Sequence, residues 1–505
     1  MIRQARKRVG PVAAAFALAA LISVWAAPAR AQSFAVGFGD STANNVGEDP
    51  TWWANAAQDA RAKIFRFQLT WSQVAKTKPT DATDPNDPAY DWSEPDAAAR
   101  VAQRAGLEPE FSIYKAPAWA EGKRRPNTGY GRDGDEPPHP GSWKPRPSDV
   151  GQFATALAKR YDGSTDDPLY PLQKLKRVAL YESWNEPNYK MFLSPQFEGS
   201  GALRKMVVTD NYRAIHNAFY RAVKAVQPEA FVSTAGLGPY GASSQGTEVQ
   251  PQLFIRSLLC LSGRSDKLKK ASWCPTRTQL DAISLHPYTI FGTPTTKAAD
   301  PDGGAFANTP SFRKAIDFAV SRKTVLPRGP KELWVTEFGW LTNPPGRTTT
   351  TKLTLGVKPS TAAIYISEGL YRLWTWGVTK AMHFNLRDDP TFPDGLYFWP
   401  DGSTESKQAV PKPSLKGFRF PLMAVGRRGT EGRTWTISPC SDDQASLSIQ
   451  FNTRGRWTEA ARFKPDSTGL VNEPIQIPPS AKSVRGIATG TGCSERSIAM
   501  PIYSK

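Results

Sequence analysis

The sequence predicts an α/β protein that is built as a (β/α)8 barrel with a small all-β sandwich at its C-terminal end. Between residues 32 and 420, short apolar runs alternate with longer amphipathic segments, a pattern typical of repeated βα units and hence of a parallel sheet. Eight such runs match the number of strands that a barrel of this kind needs. Beyond Pro421 the pattern changes to short alternating segments between turn residues, which indicates a separate β domain.

The first 31 residues have the features of a secretory signal peptide. Basic residues such as Arg3 and Lys7 precede an apolar run from about Val12 to Ala27, and Ala29-Arg30-Ala31 has the small-x-small pattern of a cleavage site. An uncleaved membrane anchor is the alternative, but the run is short for a span of about 20 apolar residues. No later stretch is long and apolar enough to span a membrane, so we expect a secreted, extracellular protein.

The charge of the chain is strongly basic but does not identify a partner. The formal net charge is +18, and loss of the five basic residues of the signal, which has no acidic residue, lowers it to +13. Such a surface favours anionic partners, for example an acidic polysaccharide or an anionic cell envelope. A solvated basic surface without a partner explains the charge equally well. No basic run or nucleic-acid motif supports binding to nucleic acid.

The predicted barrel elements follow one another through residues 32–420, and each strand is expected to lead into a loop and then usually a helix. The predicted strands are Phe34–Gly39, Ile64–Leu69, Glu110–Tyr114, Arg177–Glu182, Phe231–Ala235, Ala282–Leu285, Leu333–Thr336 and Ala381–Asn385. The predicted helices are Glu94–Ala105, Val150–Tyr161, Asn211–Ala225 and Ala362–Trp376. Two insertions rich in Pro, Gly and charge, Lys123–Pro147 and Pro239–Gln250, follow strands; they either shape a cleft at the C-terminal face or are peripheral.

The region after the barrel is divided into a linker, 421–433, and a sandwich, 434–505. The linker is predicted because Gly426–Arg433 is rich in Gly and Arg. Short segments of the sandwich, such as Gly455-Arg456-Trp457, loosely resemble the immunoglobulin-like modules of secreted bacterial proteins. Strands are expected at Thr434–Ser438, Ala445–Phe451 and Ser483–Ala488.

The four cysteines form two local pairs, Cys260 with Cys274 and Cys440 with Cys493. In an exported protein this arrangement predicts two disulfides, the second of which would stabilise a sandwich that is small for an independent core. A zinc site is the alternative, but no Cys-x-x-Cys and no nearby histidine supports it.

Two glutamates at the ends of predicted strands are the candidates for chemistry. The fourth strand leads into Trp184-Asn185-Glu186-Pro187-Asn188, where Glu186 can protonate a departing oxygen and the Asn185 amide can bond a sugar 2-hydroxyl. The seventh strand ends in Thr336-Glu337-Phe338-Gly339, and a carboxylate there is costly to bury and needs a purpose. The alternatives are a polar turn for the first segment and a structural ion pair with an arginine for the second.

These two segments resemble the acid/base and nucleophile signatures of glycoside hydrolase clan A, with families 39 and 5 the most similar. Arg66, near the end of the second strand, resembles the arginine that steadies the nucleophile of the clan. His286-Pro287-Tyr288, after the sixth strand, resembles the His-x-Tyr element whose tyrosine hydroxyl bonds the nucleophile. The resemblance covers roughly residues 34–420 but is specific only at these strand ends.

The resemblance implies a retaining mechanism with the two carboxyl groups about 5–5.5 Å apart. Glu337 would be the nucleophile and Glu186 the acid and then the base, while Arg66 and Tyr288 would keep Glu337 ionised. No metal or organic cofactor is needed. Glu182, four residues before Glu186 and inside the strand, is a poorer catalytic candidate.

The chain departs from the clan at two places and leaves the sugar contacts open. Strand eight leads into His383-Phe384-Asn385 where a tryptophan is usual, and strand three leads into Tyr114–Trp119 in place of a conventional histidine. Among the aromatic residues near strand ends, Trp119 and Trp340 are the predicted stacking platforms for a sugar. Each such residue is individually more often core or rim.

The function that these residues predict is hydrolysis of an extracellular oligo- or polysaccharide. A transglycosylase with the same covalent intermediate is an alternative, because it differs only in how the cleft excludes water. A carbohydrate-binding wall protein whose barrel has lost activity is the alternative from another class. The presence of both Glu186 and Glu337, with Arg66 and Tyr288, argues against this third possibility.

Overall fold

The computed structural model describes residues 34–40, 50–127, 137–199, 201–241, 247–264, 267–274, 276–289, 292–342, 356–389, 392–398 and 409–504. The predicted signal peptide lies outside the described residues, as do residues 128–136 and 242–246 of the two predicted insertions. None of the described helices combines the length and the apolar composition that crossing a lipid bilayer requires.

Eight parallel strands close into a barrel in which the last strand pairs with the first. All eight predicted strands are present, and their ends differ from the predicted ends by at most three residues. Most of their residues are buried, as expected for a parallel sheet that helices cover from outside. The strands are β1 (Ala35–Gly39), β2 (Ile64–Thr70), β3 (Glu108–Tyr114), β4 (Leu180–Ser183), β5 (Phe231–Thr234), β6 (Ala282–Leu285), β7 (Glu332–Phe338) and β8 (Lys380–Phe384).

The four predicted helices, α3, α4, α5 and α8 below, are confirmed, and each begins one to three residues earlier than predicted. For α4 and α8 the prediction began at the apolar residues Val150 and Ala362, whereas both helices begin at a proline, which favours the first helical position. The described α-helices are α1 (Pro50–Asp59), α2 (Trp71–Val74), α3 (Ser93–Ala105), α4 (Pro147–Arg160), α5 (Val208–Val226), α6 (Pro251–Leu258), α7 (Thr309–Ser321), α8 (Pro359–Thr375) and α9 (Pro413–Arg419).

Short elements occupy several connections between the barrel strands. Four two-stranded sheets pair Asp166–Asp167 with Tyr170–Lys174, Phe197–Glu198 with Lys205–Met206, Leu261–Ser262 with Lys269–Lys270, and Thr278–Gln279 with Val325–Leu326. Single 3₁₀ turns lie at Ala118–Ala120, Gly201–Leu203 and Phe306–Asn308. None of them was predicted: all but Tyr170–Lys174 have only two or three residues, which is too short a pattern to recognise, and Tyr170–Lys174 is exposed throughout.

The interior of the barrel changes from apolar to polar along the strands. A separate apolar cluster fills one level of the barrel and consists of Ile64, Leu180, Ala282, Trp334 and Met382. Because strand side chains alternate between faces, the residue two positions later on β2 and on β4 points into the same interior. These residues are Arg66 and Glu182, which lie closer to the C-terminal ends of the strands. The polar cluster therefore lies directly above the apolar level, toward the C-terminal ends of the strands.

The C-terminal part is a second sheet of eight strands, with mostly antiparallel pairing, consistent with the predicted β-sandwich. Its strands are β9 (Leu422–Val425), β10 (Glu431–Ile437), β11 (Ser446–Thr453), β12 (Arg456–Phe463), β13 (Leu470–Gln476), β14 (Ala481–Gly490), β15 (Cys493–Arg496) and β16 (Met500–Tyr503). Their order is β12-β11-β14-β16-β9-β10-β13, and β15 pairs with β14. The pairing of β9 with β16 is parallel. The three predicted strands correspond to β10, β11 and β14.

The segment 421–433 is not the predicted linker, because it contains β9 and the first residues of β10. The four apolar side chains of Leu422–Val425 are buried, and the Gly- and Arg-rich part only supplies the turn between two paired strands. Ser367 of α8 also exchanges hydrogen bonds with the backbone of Leu422, at 2.8 and 3.1 Å. The second sheet is thus joined directly to the barrel, and Phe34–Lys505 form one compact unit.

Both predicted disulfides are present, Cys260–Cys274 and Cys440–Cys493. The first closes a short loop between α6 and β6. The second joins the segment after β10 to β15 and closes a much longer stretch of the second sheet. Because a disulfide acts mainly by restricting the unfolded chain, the two bonds differ in their expected contribution to stability.

Loss of Cys440–Cys493 should destabilise the protein more than loss of Cys260–Cys274. The pairs are 53 and 14 residues apart, and loop-closure entropy predicts losses of about 4 and about 3 kcal/mol for the respective double alanine variants. Urea unfolding of the two variants and the parent measures the difference. A larger loss for the Cys260/Cys274 variant would contradict the expected order.

Candidate active site

Arg66 of β2 is the centre of a buried polar cluster inside the barrel. Its Nη2 lies 2.6 Å and its Nε 3.1 Å from Oε1 of Glu182, and its Nη1 lies 2.8 Å from Oε1 of Glu337. Nη2 also donates to Oδ1 of Asn185 at 3.1 Å. One guanidinium therefore joins β2, β4, β7 and the loop after β4.

Glu337 on β7 has hydrogen-bond donors on both carboxylate oxygens. Besides Arg66, Gln68 donates to Oε1 at 3.2 Å, and the hydroxyl of Tyr288 donates to Oε2 at 3.0 Å. Burial raises the pKa of Glu337 above its ordinary value, and the charge of Arg66 and the hydrogen bond from Tyr288 oppose that rise. These donors favour the ionised form and hold the carboxylate in one orientation.

Glu186 follows β4 and is the more exposed of the two candidate glutamates, with 14% of its side chain exposed against 8% for Glu337. Its backbone has φ +36°, and its N–H donates to the carbonyl of Gly236 at 3.0 Å. Burial and then the charge of Glu337 raise the pKa of Glu186 well above its ordinary value. The two carboxyl groups therefore share one site, and the pKa of Glu186 is raised more strongly than that of Glu337, which has donors on both oxygens.

His286, just after β6, lies between the two carboxyl groups. Its Nδ1 is 3.0 Å from Oε1 of Glu186 and 3.5 Å from Oε2 of Glu337, and its Nε2 is 3.1 Å from Oγ1 of Thr336. Burial, and then the charge of Arg66, lower its pKa well below the ordinary value, so the imidazole is neutral. The ring is also confined by Gly236, where a Cβ would overlap the imidazole far inside 3.0 Å.

One group among the described residues has the spacing of a metal site, because one donor atom each from Glu186, His286 and Glu337 lie within 4.8 Å of one another. The same atoms already take part in contacts within the protein, since Nδ1 of His286 faces Glu186 and both oxygens of Glu337 accept hydrogen bonds. A cation would have to displace the contact between His286 and Glu186. We therefore assign no metal ligands here and treat the group as a carboxyl pair with an imidazole between them.

The structure brings most of the predicted site residues together. Glu186, Glu337, Arg66, Asn185, His286 and Tyr288 are linked by the contacts described above. The predicted platform Trp340 lies elsewhere: it is buried in the core against Phe306, Phe338 and Tyr365. A ring that is 3% exposed has no face left for a sugar, and this prediction is corrected.

The other predicted platform, Trp119, is half-buried and belongs to a different environment. Its Nε1 donates to the carbonyl of Ala75 at 2.8 Å, and its ring packs edge-on against Trp71. No described contact joins it to the carboxyl pair. The aromatic rings next to the site are instead Phe384 and Phe392, both half-buried, which pack edge-on against Tyr288 with centroids 6.4 and 5.5 Å from it.

Sequence reasoning missed four polar residues that complete the cluster, namely Glu182, Gln68, Ser112 and Thr336. Glu182 was predicted to be a poor catalytic candidate, and in the structure its carboxyl group accepts hydrogen bonds from Arg66. Gln68 is two residues after Arg66 on the same strand and so faces the same interior. Polar residues at alternate positions of a strand would have indicated a polar barrel interior. They were overlooked because the strands were identified by their apolar residues.

No protein-family model and no curated protein matches the chain. Among solved structures, it is similar to a Bacteroidetes-affiliated GH5 cellulase, with 12% identity, a TM-score of 0.42, and coverage of 77% of this chain and 90% of that one. It is also similar to β-galactosidase from Bacillus circulans sp. alkalophilus, with 11% identity, a TM-score of 0.41, and coverage of 72% of this chain and 52% of that one. A third similar structure is the catalytic domain of β-amylase from Paenibacillus polymyxa, with 10% identity, a TM-score of 0.40, and coverage of 70% of this chain and 92% of that one. Structural similarity at this low sequence identity does not indicate the activity of the chain.

The substitution Gly236→Ala should destabilise the protein by about 1–3 kcal/mol, because a Cβ would displace the buried ring of His286. Gly151→Ala in α4 is a matched control, since its Cβ would meet its nearest neighbour at 3.5 Å. Removing a helical glycine should stabilise by about 1 kcal/mol. Denaturant unfolding measures both changes, and equal effects at the two positions would contradict the packing argument.

Proposed function

We propose that this chain is a secreted retaining glycoside hydrolase that cleaves an extracellular oligo- or polysaccharide. The observation that carries the proposal is the pair Glu186 and Glu337 at the C-terminal ends of β4 and β7. Their oxygens approach within 4.8 Å, and one carboxyl is surrounded by donors while the other is held in an environment that favours its neutral form. Two carboxyl groups in such different surroundings are what acid-assisted glycoside cleavage needs.

The separation of the carboxyl groups favours retention of configuration. Retaining enzymes hold the two groups about 5–5.5 Å apart, whereas inverting enzymes leave about 6.5–9.5 Å for a water molecule. One oxygen of each group lies within 4.8 Å of the other, and the His286 imidazole contacts both groups, which supports the shorter separation. We therefore propose a double displacement with a covalent intermediate.

Glu337 is the proposed nucleophile, because Arg66, Gln68 and Tyr288 stabilise its charge and orient it. In the first step its carboxylate forms a bond to the anomeric carbon, the glycosidic bond breaks, and Glu186 gives its proton to the departing oxygen. In the second step Glu186, now ionised, takes a proton from water, whose oxygen attacks the anomeric carbon and releases Glu337. Asn185, whose Oδ1 is occupied by Arg66 and Gln68, is proposed to offer its amide protons to the sugar.

The features outside the carboxyl pair support an extracellular glycan as substrate without defining the sugar. Phe384 and Phe392 form an aromatic wall beside Tyr288 where an apolar sugar face could pack. The basic surface would attract an anionic polysaccharide. The two disulfides suit an oxidising, extracellular compartment.

Labelling with a panel of 2-deoxy-2-fluoro glycosides that carry good leaving groups tests the proposal. We expect a covalent adduct on Glu337 by peptide mass mapping, and none in Glu337→Gln. Glu186→Gln should lower turnover of substrates with poor leaving groups by about 10²–10⁴-fold, the usual contribution of general acid catalysis. Glu108→Gln, at an exposed position of β3, is the control and should retain activity.

An adduct on another carboxylate would overturn the assignment of the nucleophile. A folded protein that gives no adduct and no turnover with any sugar would favour the carbohydrate-binding alternative. Products longer than the substrate would identify a transglycosylase that uses the same intermediate.

The pH dependence of kcat/KM should be bell-shaped, since the reaction needs Glu337 ionised and Glu186 protonated. Tyr288→Phe removes a hydrogen bond that lowers the pKa of Glu337. Its acid limb should therefore move to higher pH, and kcat/KM should fall by about 10- to 150-fold, the value of a hydrogen bond to a charged group. Tyr371→Phe, on α8 near Trp374 and Trp435, is the control. An unchanged acid limb in Tyr288→Phe would contradict this role of the tyrosine.

A further inference from the structure

We propose that Glu182 and Thr336 are positioning residues that set the tautomer of His286 and thereby place the proton of the resting site on Glu186. The inference rests on the proposed function, in which Glu186 is the acid. It concerns a chain of buried hydrogen bonds that runs from Arg66 through Glu182, Thr336 and His286 to Glu186. In this chain of contacts Glu182 and Thr336 reach the Glu186 carboxyl group through His286, which itself contacts Glu186.

The chain begins at Glu182, whose side chain is completely buried. Its Oε1 accepts hydrogen bonds from Arg66 at 2.6 and 3.1 Å and from the hydroxyl of Ser112 at 2.9 Å. A carboxyl group paired with a buried guanidinium in this way is ionised and can only accept. Its second oxygen, Oε2, lies 2.9 Å from Oγ1 of Thr336. The single hydroxyl proton of Thr336 is therefore directed to Glu182.

Thr336 in turn contacts the imidazole of His286. Oγ1 of Thr336 also lies 3.1 Å from Nε2 of His286, and a hydroxyl that has given its proton to Glu182 can only accept a second hydrogen bond. Nε2 must then carry a hydrogen. Because the imidazole is neutral, it has a single N–H, and Nδ1 is left with a lone pair.

The contact between His286 and Glu186 needs one proton. Nδ1 faces Oε1 of Glu186 at 3.0 Å, and two acceptors cannot form a hydrogen bond at that distance. Glu186 must therefore donate and must carry the proton. The other oxygen near Nδ1, Oε2 of Glu337 at 3.5 Å, already accepts from Tyr288. The site is thus set for its first step before a substrate arrives.

The same arrangement serves the second step of the reaction. Once Glu186 has lost its proton, its carboxylate faces the lone pair of Nδ1 and lacks a donor there. The ionised form is therefore held at higher free energy, and Glu186 becomes a stronger base toward the attacking water. The hydrogen-bond chain would in this way keep the proton on Glu186 before the first step and make Glu186 a stronger base in the second.

Several charged or titratable groups act on Glu186 besides His286, and the variant tested must leave them unchanged. They come from β2, β4, β7 and the loops around the site and are Arg66, Glu182, Glu337, Tyr189, Glu248 and Tyr288. Thr336 is uncharged and buried, and Thr336→Val keeps its shape while removing the hydroxyl. Thr336→Ser keeps the hydroxyl and is the matched control.

Nitrogen-15 NMR of histidine-labelled protein tests the tautomer directly, without any substrate. The chain has four histidines, and the signals of His286 are assigned by their loss in His286→Gln. In the parent and in Thr336→Ser we expect a protonated Nε2 and an unprotonated Nδ1. In Thr336→Val we expect the Nδ1–H form to become populated. His216, whose Nε2 faces the carbonyl of Gln279, is the internal control and should not change.

Kinetics supply the second readout. In Thr336→Val the Nδ1–H form can donate to ionised Glu186, so the alkaline limb of kcat/KM should move to lower pH by about one unit, a tenfold change in acid dissociation. Turnover should fall about tenfold for glycosides with poor leaving groups and little for dinitrophenyl glycosides, which need no acid. Thr336→Ser should behave as the parent.

An Nδ1–H tautomer in the parent would overturn the inference, as would a folded Thr336→Val protein with the parent tautomer and the parent alkaline limb. Because the NMR measurement needs no activity, it separates this inference from the proposed function. Absence of labelling on Glu337, together with the expected tautomers, would reject the glycosidase function and leave the hydrogen-bond chain established.

Discussion

The burial of the Arg66 guanidinium is the constraint on which the rest of the site depends. A charged group inside a barrel is costly unless carboxylates and hydrogen-bond partners surround it. Burial alone would lower the pKa of Arg66, but the charges of Glu182 and Glu337 raise it above its ordinary value. The register of β2, β4 and β7 must therefore bring these three residues to one level of the barrel. Removing one partner of such a buried pair typically costs about 3–5 kcal/mol.

One guanidinium cannot balance all the acidic groups that lie around it. Glu110 on β3 is also fully buried, and neither of its carboxyl oxygens has a partner among the described residues. Burial, and then the charge of Glu182, raise the pKa of Glu110 well above its ordinary value, as burial and the charge of Glu337 do for Glu186. Arg66 thus forms ion pairs with Glu182 and Glu337, whereas Glu110 and Glu186 have no ion pair with it and have pKa values raised well above the ordinary value. This shortage of positive charge accounts for the different roles proposed for Glu186 and Glu337.

The sequence predicted the barrel well, because parallel strands are recognisable as apolar runs. It also predicted that the candidate glutamates lie at the C-terminal ends of the strands. It predicted Arg66, Tyr288 and Glu337 through resemblance, and the structure joins all three by hydrogen bonds. It did not predict Glu182 or Thr336, since a polar residue inside a strand gives no sign of the neighbouring strand that it faces. Trp340 was misplaced for a related reason: its core neighbours Phe306 and Tyr365 are 34 and 25 residues away in the chain. The local sequence pattern determines whether a segment is a strand or a helix, whereas the environment of a side chain depends on elements that are distant in the sequence.

The backbone around Glu186 shows how the fold supplies the precision that the sequence pattern leaves open. Trp184 and Glu186 adopt φ of +78° and +36°, which is unfavourable for residues with a side chain. The turn is held by the buried Trp184 ring, whose Nε1 donates to the carbonyl of Phe192 at 2.8 Å, and by Asn188, which exchanges hydrogen bonds with Gly238 at 3.0 and 3.2 Å. A strained backbone of this kind costs about 1–3 kcal/mol per residue. The surrounding contacts offset that cost, and their effect is to direct the Glu186 carboxyl to Nδ1 of His286 rather than to solvent.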